Sequence, residues 1–148
     1  MQQPLASILV AVDFSEPSQT ALDAALQLAK ATGARLTLFH AFELPIPAVT
    51  PYEVAIPTTY LEESRNAAQA QLAAAVARAA EAGVEAESRL EEGPAAQAIS
   101  AAAEELGVDL VVVGTHGHTG LKHLFLGSVA ERTLRHSPCS VLTVKARG

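Results

Sequence analysis

Short apolar runs alternate along this chain with longer stretches in which apolar residues recur at helical spacing. Ser7 to Val12, SILVAV, is rich in β-branched residues and ends at Asp13, the pattern of a buried parallel strand. DFSEPS then supplies a helix start, with Ser15 as N-cap and Glu16 and Pro17 in the first turn. Ala21, Leu22, Ala25, Leu26, Leu28 and Ala29 form the stripe of a helix that stops before Gly33. Arg35 to Ala41 is a second strand. Residues 44–58 carry Pro45, Pro47, Pro51 and Pro57, which exclude both a continuing helix and a central strand. A loop of that length within a compact domain points to function or mobility. Thr59 to Glu62 reads as a capping box opening a long alanine-rich helix that reaches Ala82. Val84 to Leu90 is more polar and reads as an edge strand. Gly93-Pro94 restarts a helix running to Leu106 and closed by Gly107. Val108 to Val113, the most apolar run, reads as a central strand. A last helix ends near His136 before Ser137-Pro138, and Ser140 to Lys145 is the final strand.

This β-α-β-α-β-α-β-α-β rhythm predicts an α/β fold: one open five-stranded parallel sheet with helices on both faces. No composition break marks a second domain, so residues 1–148 are expected to form one. The hydrophobic share of 49% and charged share of 18% fit a globular chain able to bury a core without metal or disulfides. A net charge of −6 argues against general attraction to nucleic acid, so any phosphate must be held by local amides rather than a basic field. The N-terminal apolar run has no basic flank and meets Asp13 at once; no signal peptide or membrane span is expected, and the cytoplasm is the default location. Cys139, the single cysteine, reads as a small core residue.

The candidate chemistry lies in VVVGTHGHTGLKHLFLGSV, residues 111–129. A buried strand breaks at Gly114, glycines recur at Gly117, Gly120 and Gly127, and Ser128 opens the last helix. Strand, glycine-rich loop and helix N-terminus can together build an anion site: glycines permit φ > 0 and close backbone approach, and the helix dipole favours phosphate. The G-x-x-x-x-G-K-[ST] loop is excluded because the chain has no Gly-Lys pair, and G-x-G-x-x-G fails at His116. In open parallel sheets ligands sit beyond the strand carboxyl ends where winding reverses, here between the first and fourth strands. Asp13 then neighbours the Gly114 loop, and a carboxylate facing an amide cradle suits a nucleotide. As a lone residue Asp13 also fits a turn or helix cap. His116, His118 and His123 lack a nearby cysteine or carboxylate to complete a metal shell, so phosphate-facing or solvated roles are favoured. Lys122 fits either a terminal-phosphate contact or a solvated loop. No catalytic residue and no metal ligand is assigned.

VAVDFSEPS at the start and VVVGTHGHTGLKHLFLGSVAERTLRHSPCSVLTVK at the end resemble the universal stress protein family, over essentially the whole chain. The spacing Gly114, Gly117, Gly127-Ser128 resembles its ATP-binding branch. The resemblance implies a sheet order of 3-2-1-4-5 and ATP at the switch point with Mg2+. It implies adenosine contacts from Ala11, Val12 and Asp13, with Ala41 offering backbone to the adenine. Gly114, Gly117, Gly127 and Ser128 are implied around ribose and phosphates, flanked by Thr115, His116 and Val129. A larger aliphatic residue is usual at the place of Ala41, which implies a looser adenine contact. It further implies a homodimer formed partly through the last strand. Independently, an apolar strand Ser140 to Lys145 left as an open edge favours pairing with its own copy. The function so implied is that of an ATP-binding stress-response regulator or sensor. The alternatives are a slow ATPase or phosphoryl- or adenylyl-transfer enzyme, or a binder of another adenine nucleotide such as cyclic AMP. Phosphoryl transfer wants metal ligands, a positioned base and cationic charge. The scarcity of acidic residues around the loop favours binding over turnover.

Overall fold

The computed structural model describes residues 4–43, 58–116 and 126–146. The Pro-rich segment up to Pro57 and Gly117, His118, Gly120, Lys122 and His123 lie outside the described residues. Nine elements follow the predicted rhythm: β1 (Ser7–Ala11), α1 (Glu16–Thr32), β2 (Arg35–Phe42), α2 (Thr58–Glu81), β3 (Ala86–Glu92), α3 (Ala95–Leu106), β4 (Leu110–Gly114), α4 (Ser128–His136) and β5 (Ser140–Val144). The sheet is parallel throughout, in the order β3-β2-β1-β4-β5.

Strand alternation sorts the core into two layers. Ile8, Val10 and Val12 of the β1 segment and Leu36 and Leu38 of β2 pack under α1 and α2, against Leu22, Ala25, Leu26, Leu72 and Ala79. Leu9, Phe39, Val111 and Val113 point the other way, against Ile99, Ala102 and Ala103 of α3 and Ala130 of α4. Small alanines on all four helices let them lie close to the sheet, and removing these side chains from water supplies the main stabilisation, ~25 cal/mol per Å² of apolar surface.

Several boundaries differ from the sequence expectation. Thr58 is already helical, so Thr59 stands inside the first turn of α2 and not at a cap. Val84 and Val108 are buried at 5% and 7% exposure, yet each precedes its strand. β3 occupies the edge, and the side of it that faces α3 is charged: Arg89 hydrogen-bonds Glu91 (2.7 Å) and Glu105 (2.6 Å). Those two bonds hold its guanidinium above the usual arginine range. Inward-pointing charge of this kind discourages edge-to-edge pairing.

Candidate functional site

β1 ends at Ala11, and the next residues turn sharply into α1. The Asp13 amide donates to Ser18 Oγ (2.9 Å), while Asp13 Oδ1 accepts from the Ser15 amide (3.0 Å) and the Ser15 hydroxyl. Ser15 Oγ in turn accepts from the Ser18 amide (3.3 Å), which caps α1 as predicted. The turn role of Asp13 is therefore present in the structure. Between these residues Phe14 takes φ 64°, a left-handed conformation costly for a bulky side chain. Its ring packs on His40 with centroids 4.6 Å apart. His40 Nδ1 donates to the Val12 carbonyl (2.7 Å), which fixes the end of β1 from the α2 side of the sheet.

That arrangement leaves a gap beside β2. The β1–β2 ladder closes with the Val12 amide donating to the Phe39 carbonyl (2.8 Å). Along β2, odd-numbered residues turn their backbone groups toward β1 and even-numbered ones toward β3, as the Arg35-to-Ala6 and Leu36-to-Glu85 bonds demonstrate. The amide and carbonyl of Ala41 therefore face the side that β1 has left. An alanine places little bulk in front of them.

Across the gap, β4 ends at Gly114. A Cβ on Gly114 would meet the Pro17 carbonyl oxygen at 3.0 Å, so a glycine there lets the start of α1 close against the strand end. Thr115 follows, 5% exposed; its amide donates to the Val144 carbonyl (3.0 Å), and its carbonyl accepts from the Gly127 amide (2.6 Å). A Cβ on Gly127 would stand 2.8 Å from that carbonyl oxygen and 3.4 Å from His116 Cα. The expectation that these glycines serve φ > 0 is corrected here. Gly127 has φ −59°, and neither it nor Gly114 is among the positive-φ glycines; what both supply is absence of a side chain where two backbones meet. Gly127 is the N-cap of α4 and offers no side-chain cap bond. The first amides inside the helix, those of Ser128, Val129 and Ala130, have no intrahelical acceptor. They carry the positive end of the helix dipole.

These elements enclose a cavity of about 230 Å³ at the carboxyl ends of β1, β2 and β4. Every described residue of the predicted set lines it: Ala11, Val12, Asp13, Ala41, Gly114, Thr115, His116, Gly127, Ser128 and Val129. Sequence reasoning missed Ser18, Phe39, Ala95, Ile99, Val113 and Ala130 in the wall. Of these, Ile99 and Ala95 come from the start of α3, and their apolar periodicity marks them as core without saying that part of their surface faces a cavity. The lining is of two kinds: Phe39, Ala41, Ala95, Ile99 and Val113 make apolar wall, and Gly127 with the first amides of α4 makes polar wall. No lysine or arginine is present among the described lining residues.

Comparison with known proteins accords with this architecture. The universal stress protein family model matches residues 5–145. Universal stress protein YxiE of Bacillus subtilis (strain 168) is 38% identical over 144 residues, spanning 93% of this chain and 97% of that protein. A solved structure of a universal stress protein family member from Burkholderia pseudomallei is 35% identical, with a TM-score of 0.77, covering 97% of this chain and 98% of that one. A universal stress protein solved in complex with cAMP is 28% identical, with a TM-score of 0.74, covering 98% and 100%.

Proposed function

The chain belongs to the universal stress protein family, and from that premise we propose that it is a stress-response regulator or sensor that binds ATP with Mg2+ in the cavity between β1 and β4. The observation that carries this reading is that the N-terminus of α4, with no side-chain cap bond from Gly127, lines a cavity whose other described wall is largely apolar. Phosphate oxygens accept from the amides of Ser128, Val129 and Ala130, and the base enters the slot of Phe39, Ala41, Ala95, Ile99 and Val113. Base hydrogen bonds go to the backbone of Ala41. Asp13, held in its turn by Ser15, accepts from the ribose. In this reading Mg2+ offsets part of the negative charge that the phosphates bring.

β5 is an edge strand, and Leu142 on it is 38% exposed. In this reading a homodimer forms through Ser140 to Lys145, and the protein works in the cytoplasm. The relative solved with cAMP supports cyclic AMP as the second ligand to consider, since the same amides and slot accommodate a cyclic phosphate.

The test is direct. Protein purified from cells is denatured, the released nucleotide is identified, and ATP, ADP and cyclic AMP are titrated with and without Mg2+. Co-purified ATP, or ATP binding strengthened by Mg2+, is the expected result. Preference for cyclic AMP would replace ATP in the assignment, steady ATP hydrolysis would turn the sensor into an enzyme, and failure of every nucleotide would remove the site.

A further inference from the structure

The β1–β2 ladder stops short of the end of β2. Its last paired residues are Ala11 and Phe39, closed by the Val12 amide donating to the Phe39 carbonyl (2.8 Å). The next bond of a parallel ladder would run from the Ala41 amide to the Val12 carbonyl. β2 continues to Phe42, yet Val12 is not paired with it. The Val12 carbonyl accepts instead from His40 Nδ1 (2.7 Å). A carbonyl can only accept, so this imidazole carries a proton on Nδ1. Ala41 is half-buried and lines the cavity, and its amide has no hydrogen-bond partner among the described residues.

The same ring reaches the other neighbour of Asp13. It packs on Phe14, with centroids 4.6 Å apart and planes inclined at 39°, and Phe14 is the residue at φ 64°. One imidazole thereby holds Val12 by a hydrogen bond and Phe14 by ring contact, with Asp13 between them. It does so from the far side of the sheet. His40 follows Leu36 and Leu38 on the face covered by α1 and α2, whereas Phe39 and Val113, on the face of α3 and α4, wall the cavity. His40 is not among the described lining residues. Its influence on a ligand therefore passes through the main chain.

We propose that His40 is a positioning residue for the cavity: by taking the Val12 carbonyl from the opposite face, it prevents Ala41 from closing one more rung onto β1. The Ala41 amide is thus kept available to a ligand, and the Asp13 turn is held in place. The proposal rests on the nucleotide reading above and deepens it, since recognition of the nucleoside part is then governed by a side chain that never touches the ligand. The rival account is that β1 turns away of its own accord and His40 merely satisfies a carbonyl already outside the ladder.

Scalar couplings across hydrogen bonds in the nucleotide-free protein separate the two accounts. In wild type the Val12 carbonyl carbon is expected to couple to His40 Nδ1 and not to the Ala41 amide nitrogen; a Val12–Ala41 coupling there overturns the proposal. His40→Phe and His40→Leu both remove the donor, the first keeping a ring on Phe14. In whichever of them folds, the Val12–Ala41 coupling is expected to appear and exchange of the Ala41 amide to slow. An Ala41 amide that stays uncoupled and exchanges as in wild type favours the rival account and overturns the proposal. In binding experiments the same variants are expected to lose ATP and adenosine affinity alike, by about 3- to 10-fold, the worth of one neutral hydrogen bond. His40→Asn, whose amide nitrogen stands at the place of Nδ1, is expected to recover affinity to within about twofold of wild type. A loss for ATP that spares adenosine, or no recovery in His40→Asn, overturns the positioning role. Wild-type protein that binds no adenine nucleotide would instead defeat the reading on which the proposal rests, while the couplings still report on His40.

Discussion

Replacing Gly127 with alanine adds one methyl group whose landing place is known. At φ −59° the backbone accommodates any residue. The new carbon would lie 2.8 Å from the Thr115 carbonyl oxygen, so the two backbones must part by about 0.6 Å to reach ordinary contact. That same carbonyl accepts the Gly127 amide at 2.6 Å, and parting weakens the bond. Overpacking of this kind costs ~1–3 kcal/mol. The reduced freedom of the unfolded chain returns ~0.4–1 kcal/mol. The net loss, about 1–2 kcal/mol, lowers Tm by roughly 2–8 °C at this chain length.

Binding suffers through a separate route. A phosphate held at ~2.9 Å by the amides of Ser128 and Val129 falls outside useful hydrogen-bond range when the turn shifts by that much. Losing one charge-assisted bond, ~1.5–3 kcal/mol, reduces affinity about 10- to 100-fold. Calorimetric titration with ATP and Mg2+, alongside thermal melting, reads both effects. Gly33→Ala is the control: it has open space around its Cβ position but φ +75°, so it costs ~1–2 kcal/mol of stability and leaves affinity intact. Wild-type affinity and Tm in Gly127→Ala would show that close backbone approach is not what this glycine provides.

Two further substitutions probe other parts of the architecture. Ser15→Ala removes the cap of α1 and the hydroxyl donor to Asp13; a loss of ~1 kcal/mol in chemical denaturation accompanied by weaker ATP binding is expected, and stability loss without any change in binding would separate Asp13 from the ligand. Leu142→Lys puts a charge on the open edge of β5; if the proposed homodimer forms through that edge, analytical ultracentrifugation is expected to find a dimeric parent and a monomeric variant, and the same sedimentation profile for both would remove β5 as the interface.

Most of the fold was legible because apolar periodicity, capping residues and glycine stops agreed with one another. Where they misled, the reason is specific. Val84 and Val108 are apolar because they are buried, but burial begins before the ladder does, and a sequence pattern registers the first and not the second. The capping box at Thr59 failed because the helix had already begun. Asp13, Gly114 and Gly127 were legible as cavity-lining residues from strand ends and loop chemistry, and of the two reasons given for the glycines close backbone approach holds while φ > 0 does not; which backbones meet depends on where Pro17 and Thr115 lie, which is tertiary information. Phe14 carries no signal at all. Nothing about phenylalanine announces a left-handed backbone, which the His40 ring and the Asp13–Ser15 turn accompany here.

An acidic chain that holds a polyanion must separate attraction at the site from the sign of its surface. Here the proposed attraction comes from α4's first amides and Mg2+, not from a field of lysines. Such short-range donors are weakly screened by salt, unlike exposed charges that act over a Debye length. The expected consequence is an ATP affinity that depends strongly on Mg2+ and only weakly on monovalent salt. Selectivity at the other end follows the same division. With Ala11, Ala41 and Ala95 in the wall, side chains set the width of the slot, and in the proposed reading the main chain of Ala41 supplies the hydrogen bonds. Enlarging Ala41 to valine therefore narrows the slot without altering its polar groups. Tighter adenine binding in Ala41→Val would locate the base against this strand end, and an affinity unchanged for ATP and adenosine alike would place it elsewhere.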